Sequence, residues 1–187
     1  MNQVVLVGPR CCGKTSVGKE VATVLGREFL DGDILFQAKH GVISDYVARH
    51  KWEGFRKAEC ELIEQICHQY ERRPIVFAPG GGAVAHNQGE EYRLRNVVAL
   101  RSFGDLIYLL PSKDLYESAR ILIGRQVNDG QSASTRPDLT ANSDKVDEMH
   151  KMLQLRDPLY REASSMEIIT GNMGVVQIAQ QIINNFR

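Results

Sequence analysis

The sequence predicts an α/β fold: a three-layer sandwich with a central five-stranded parallel sheet, covered by helices on both faces. Three observations carry that expectation. Short, wholly apolar runs recur at Val4–Val7, Ile75–Ala78 and Leu106–Leu110, as expected of strands buried on both faces. Segments with helical apolar spacing alternate with these strands along the chain. The first strand also runs straight into Gly8-Pro9-Arg10-Cys11-Cys12-Gly13-Lys14-Thr15, a G-x-x-x-x-G-K-T loop, and a helix follows it.

Taken in order, Ser16 to Leu25 has the apolar spacing of a helix. Arg27 to Asp33 reads as a short strand ending in the cluster Asp31-Gly32-Asp33. Ile34–Lys39, closed by Gly41, and Val42–Arg49 are short helices. Phe55–Tyr70 is a stronger one, with Leu62, Ile63, Ile66 and Tyr70 at core-facing spacing. Arg72-Arg73-Pro74 breaks it. The strand Ile75–Ala78 then enters Pro79-Gly80-Gly81-Gly82. Helices are expected over Asn87–Leu100 and Asp114–Ile123, on either side of the strand Leu106–Leu110. Gly124 to Asn142 is rich in Gly, Ser, Asn, Gln and Asp and lacks periodicity, so it is expected to be a functional loop. Asp144–Leu155 returns to helix and leads into Arg156-Asp157-Pro158-Leu159-Tyr160. Glu167–Thr170 is a last strand and Val175–Asn185 a closing helix.

A length of 187 residues with no repeat or linker implies one domain over 1–187. Lys+Arg and Asp+Glu are equal at 23 each, so no net field draws the chain to nucleic acid or an anionic membrane. No apolar run approaches a bilayer span, and the first one ends in the glycine loop. A cytoplasmic protein with a small-molecule substrate is expected, as a monomer with oligomers left open. The four cysteines lack metal-ligand spacing. Cys60 and Cys67 read as small core residues. Cys11 and Cys12 read as compact filler in the loop, with oxidation as the alternative.

The glycine loop is a P-loop, and it implies a nucleoside triphosphate. Gly8 and Gly13 let the backbone curl so that successive N–H groups between Gly8 and Ser16 face phosphate oxygens at a helix N-terminus. Lys14 reaches the β/γ-phosphates and the Thr15 hydroxyl sits on Mg²⁺. In a parallel sheet, ligands bind beyond the carboxyl ends of the strands. The P-loop, the Asp31/Asp33 pair and Gly80-Gly81-Gly82 should therefore share one crevice. Two carboxylates two residues apart can divide labour between hydrated metal and substrate hydroxyl, although an Asp-Gly turn alone is also a common loop feature.

The ordered set Gly8–Thr15, Asp31-Gly32-Asp33, Phe55-Arg56-Lys57-Ala58-Glu59, Gly80-Gly81-Gly82, Arg136-Pro137 and Arg156-Asp157-Pro158-Leu159-Tyr160 resembles the shikimate kinases. These belong to the nucleoside-monophosphate-kinase-like P-loop group, and the resemblance spans nearly the whole chain. It implies phosphorylation of the 3-hydroxyl of shikimate by ATP with Mg²⁺. It assigns Asp31 to the metal and Asp33 to the substrate as base. Arg56 and Arg156 become a clamp on the substrate carboxylate, with Glu59 holding Arg56 or touching the substrate, and Gly80, Gly81 and Gly82 lie against the ligand. The 124–142 loop becomes a mobile lid carrying Arg136 to the transferring phosphoryl group and the substrate. The helices over about 34–70 bind substrate, and Arg120 stacks on adenine, with Arg125 as its rival. Trp52-Glu53-Gly54, Gln37 and Pro79 depart from the family pattern on the acceptor side. The other readings are a kinase of gluconate or of a nucleoside monophosphate, and a nucleotide-binding module without turnover.

Overall fold

A computed structural model describes residues 3–128 and 145–185. Five parallel strands form a single sheet in the order β2-β3-β1-β4-β5. They are β1 (Gln3–Val7), β2 (Glu28–Asp31), β3 (Ile75–Ala78), β4 (Gly104–Leu110) and β5 (Met166–Ile169). β1 lies at the centre because it is apolar on both faces: Val4, Val5 and Leu6 have no exposed surface. Its register pairs Val5 with Phe77 on one side and Leu106 on the other, and Gln3 seals the lower end by accepting from the Ile75 amide at 2.6 Å.

The helices are α1 (Lys14–Leu25), α2 (Gly32–His40), α3 (Ile43–Gln69), α4 (Glu90–Phe103), α5 (Leu115–Asn128), α6 (Lys145–Ala163) and α7 (Val175–Asn184). α7 buries Ile178, Ala179, Ile182 and Ile183 along one stripe, while Val176 on the opposite side is exposed. The expected helices Val42–Arg49 and Phe55–Tyr70 are present as one element, joined at Lys51, where φ 62 and ψ 173 interrupt the run.

Three expectations need correction. α4 begins at Glu90 rather than Asn87, because residues up to Gly89 complete a turn pinned by Asn96 Nδ2 donating to the Ala83 carbonyl at 2.8 Å. α5 continues to Asn128, so the first five residues of the expected lid, 124–128, are helical. α6 runs through Arg156 and Pro158 to Ala163, so the Arg156–Tyr160 motif lies within a helix. Its apolar stripe continues through Leu153, Tyr160 and Ala163, all buried, and this packing overrides the helix-breaking tendency of an exposed proline. The rest of the lid, including Arg136 and Pro137, lies outside the described residues.

Candidate active site

All three strand-end loops open at one end of the sheet, as the parallel topology requires. The P-loop leaves β1 through Gly8, whose φ of 144 and close approach to the Leu109 carbonyl (2.6 Å from where a Cβ would stand) exclude a side chain. Cys11 adopts a left-handed φ of 58, and Gly13 caps α1 at φ 102. Cys12 is buried under the loop and Cys11 is half-buried. Lys14 folds back over the loop: Nζ donates to the Gly8 and Pro9 carbonyls at 2.9 and 2.7 Å. The ammonium is thus held at the cradle's mouth by neutral acceptors that an anion could displace.

Asp31 is positioned by two roles. Its Oδ1 caps α2, accepting from the amides of Asp33 and Ile34 at 3.0 and 3.2 Å. Its Oδ2 accepts from the Thr15 hydroxyl at 2.9 Å. These are two hard oxygen ligands joined at the cleft edge, a donor set suited to Mg²⁺, which keeps most of its waters and uses few protein ligands. The cap also fixes Asp33 on the first turn of α2, one residue past Gly32, facing the glycine triplet.

That triplet juxtaposes the predicted groups. A Cβ at Gly80 would stand 2.9 Å from Asp33 Oδ1 and 2.6 Å from Glu59 Oε1. One at Gly81 would lie 3.8 Å from Lys14 Nζ and 3.4 Å from the Gly8 carbonyl, and one at Gly82 would strike the Arg56 guanidinium. Three consecutive glycines therefore lie against Asp33 and Glu59, Lys14, and Arg56 in turn. Pro79, one of the departures from the family pattern, lines the cleft beside them, as does Gln37.

Arg56 and Glu59 are both on α3 and both buried, at 4% and 5% exposure, joined Nη1 to Oε2 at 2.5 Å. Burial pushes the Glu59 carboxyl upward in pKa, and Arg56 opposes that. Trp52 and Phe55 flank the guanidinium at 5.5 and 5.0 Å from their ring centres, so aromatic faces support what solvent cannot. Arg156 reaches the same region from α6, where its charge acts on Glu59 and on the Tyr160 phenol.

Tyr160 itself lay inside a recognised motif without an assigned role. It is buried, its hydroxyl donates to the Gly81 carbonyl, and its ring stacks on Tyr108 at 4.9 Å. Tyr108 donates to Asp157 at 3.0 Å, and Asp157 accepts from Arg161 at 2.8 Å. Burial pushes the Tyr160 phenol up to about 12, so it stays a donor. The signal available in the sequence was the tyrosine four residues after Arg156, one helical turn along.

On the nucleotide side, a cleft of about 850 Å³ runs from Asp33 past the P-loop to Met173, Val175 and Ile178. Arg125 lines it and donates to the Cys11 carbonyl at 3.3 Å. Arg120 is exposed on α5, pairs with Glu117 at 2.8 Å and is absent from the cleft wall. The wall formed by Met173 and the start of α7 carried no signal beyond closing-helix periodicity.

The family model for shikimate kinase matches residues 10–187. A shikimate kinase of Acinetobacter baumannii is 31% identical over 96% of this chain and 89% of its own length. A shikimate kinase 2 of Dickeya chrysanthemi is 34% identical over 86% and 83%. The solved structure of the Acinetobacter baumannii shikimate kinase in complex with shikimate superposes with a TM-score of 0.82, at 29% identity, covering 100% of this chain and 93% of that one. The chain belongs to the shikimate kinase family, phosphotransferases that use ATP and an alcohol acceptor.

Proposed function

We propose that this chain transfers the γ-phosphoryl group of ATP to the 3-hydroxyl of shikimate, releasing ADP and shikimate 3-phosphate. The single observation that carries the reading is the glycine triplet, whose backbone lies against Asp33, Lys14 and Arg56 in turn. A small acceptor gripped by its carboxylate at Arg56 and Arg156 would present a hydroxyl between Asp33 and the phosphates. Guanidinium groups suit that grip because they bind carboxylates through two parallel N–H donors.

In the transfer, the substrate oxygen forms a bond to the γ-phosphorus while the bond to the β–γ bridging oxygen breaks. The hydroxyl proton passes to the Asp33 carboxylate, and ADP departs with the electron pair. Lys14 leaves the Gly8 and Pro9 carbonyls for the phosphates, following the charge as it moves to the leaving group. Thr15 and Asp31 would hold Mg²⁺, which would supply further charge neutralisation there. The P-loop amides orient the donor. Tyr160 holds the Gly81 carbonyl, and with it the triplet, against the acceptor. Arg136, outside the described residues, takes its role from motif position alone: by family resemblance it would stabilise the equatorial oxygens. Residues 1–187 act as one kinase domain.

A coupled ADP-release assay tests the proposal. Shikimate-dependent ADP formation is expected, with little turnover on gluconate or nucleoside monophosphates. Folded protein whose melting temperature rises with ADP but which shows no shikimate-dependent turnover would overturn the acceptor assignment.

A further inference from the structure

His86 stands in the turn between Gly82 and α4, at 2% exposure. Among the described residues neither Nδ1 nor Nε2 makes a hydrogen bond of good geometry, the Gln88 backbone being the hydrogen-bonding group that acts on the ring. Such a residue is destabilising, because a buried polar group without a good partner loses its water and gains little in return. Its surroundings are not those of an ordinary core position. The turn touches Arg56 at both ends: the guanidinium lies against Gly82, and the Arg56 Cβ is 3.8 Å from where a Cβ at Gly89 would stand. Arg56 Nε is itself buried and unpartnered. Three guanidiniums from three elements act on the ring, Arg56 from α3, Arg156 from α6 and Arg93 from α4. Burial first, then those charges, hold the imidazole neutral, its pKa pushed down to about 3, with only the Gln88 backbone favouring the charged form.

We propose that His86 is a positioning residue for the arginine clamp: its neutral ring offers a lone pair to the clamp guanidiniums when an anionic acceptor draws them in, and so tunes the site to carboxylate-bearing substrates. This rests on the acceptor reading above. A neutral imidazole carries one N–H donor and one lone pair, so it can accept from a guanidinium without cancelling its charge. A carboxylate at this position would compete with the substrate for the arginines, and a lysine would add a fourth positive charge to a buried cluster. Histidine avoids both.

His86→Leu and His86→Gln test this against simple packing. Removing two nitrogens that lack well-made hydrogen bonds should raise the melting temperature of His86→Leu. Packing alone would then leave kinetics intact. We expect instead that His86→Leu raises the KM for shikimate roughly tenfold, the loss of a hydrogen bond to a charged group, while the KM for ATP stays within about twofold. His86→Gln, which restores an acceptor and a donor, should recover most of the loss. A shikimate KM for His86→Leu within about twofold of wild type overturns the proposal, as does an equal rise in both KM values. If His86→Leu fails to fold, ¹⁵N-histidine spectra of the wild type decide. Shikimate should shift one imidazole signal that is missing from His86→Gln, and no such shift refutes the role. Absence of shikimate turnover in the wild type is a different failure, that of the acceptor assignment, and it is seen before any variant is made.

Discussion

The donor and acceptor halves of the cleft are built from different materials. The donor half is mostly backbone: left-handed residues at Cys11 and Gly13, a helix N-terminus, and one lysine resting on carbonyls that water could also satisfy. The acceptor half is made of charged side chains removed from water, Arg56 and Glu59 above all, brought together from α2, α3, α6 and the turn after β3. A backbone cradle costs little stability, because its N–H groups are those any helix start leaves free. A buried ion pair gains little or nothing net over an apolar core, since desolvation offsets the attraction. The acceptor half thus carries substrate discrimination at the expense of stability, whereas the donor half is generic.

The sharpest way to break this division lies where the halves meet. Asp33→Asn keeps the side-chain shape beside Gly80 but removes the proton acceptor, so kcat should fall by about 10²–10⁴ with the KM for ATP nearly unchanged. Steady-state kinetics with both substrates varied would show it. Wild-type turnover in Asp33→Asn would remove Asp33 from the proposed role and leave positioning alone to account for catalysis.

A second pair of variants tests the asymmetry itself. Lys14→Ala should lower kcat by about 10²–10³ and weaken ATP while leaving the melting temperature close to wild type, since its partners are loop carbonyls at the cleft mouth. Arg56→Ala should leave ATP binding alone, raise the shikimate KM, and destabilise the fold by about 3–5 kcal/mol, because Glu59 would remain buried without its counter-charge. Thermal melts beside kinetics separate the two. Equal stability losses would mean that the halves are not built on different principles.

The same asymmetry explains what could be read from the sequence. The donor half is contiguous: Gly8 to Thr15 states its own geometry, because backbone curvature follows from glycine placement. The sheet was legible for a similar reason, since strands buried on both faces must be apolar throughout, as Ile75–Ala78 is. The acceptor half is assembled across long separations. Arg56 and Arg156 could be named only through motif order, Tyr108 and Asp157 lay in an expected strand and a named motif without a role, and His86 announced nothing, because a buried polar residue looks like a surface one until its neighbours are known. The expected ends of α5 and α6, at Ile123 and Leu155, fall short of the observed ones, at Asn128 and Ala163. In α6, tertiary packing of Leu153 and Tyr160 overrides the local preference.

The smallest effect, and the most informative about the nucleotide end, concerns the two arginines of α5. They lie five residues apart, and the helix turns them to different surroundings. Arg120 pairs with Glu117 with 62% of its side chain exposed, and exposed pairs of this kind contribute about 0–1 kcal/mol. Arg125 lies on the cleft wall and reaches the Cys11 carbonyl, which places its guanidinium beside the loop that would surround the phosphates. Arg125→Ala should therefore raise the KM for ATP by about three- to tenfold, the range for losing one charge-assisted contact partly screened by water. Arg120→Ala should shift it by less than about twofold. Titration of each variant with ADP, followed by melting temperature, gives the same comparison without turnover. A larger loss from Arg120→Ala would mean that α5 rotates when nucleotide binds, and that the donor half, for all its rigid backbone, completes itself only around its ligand.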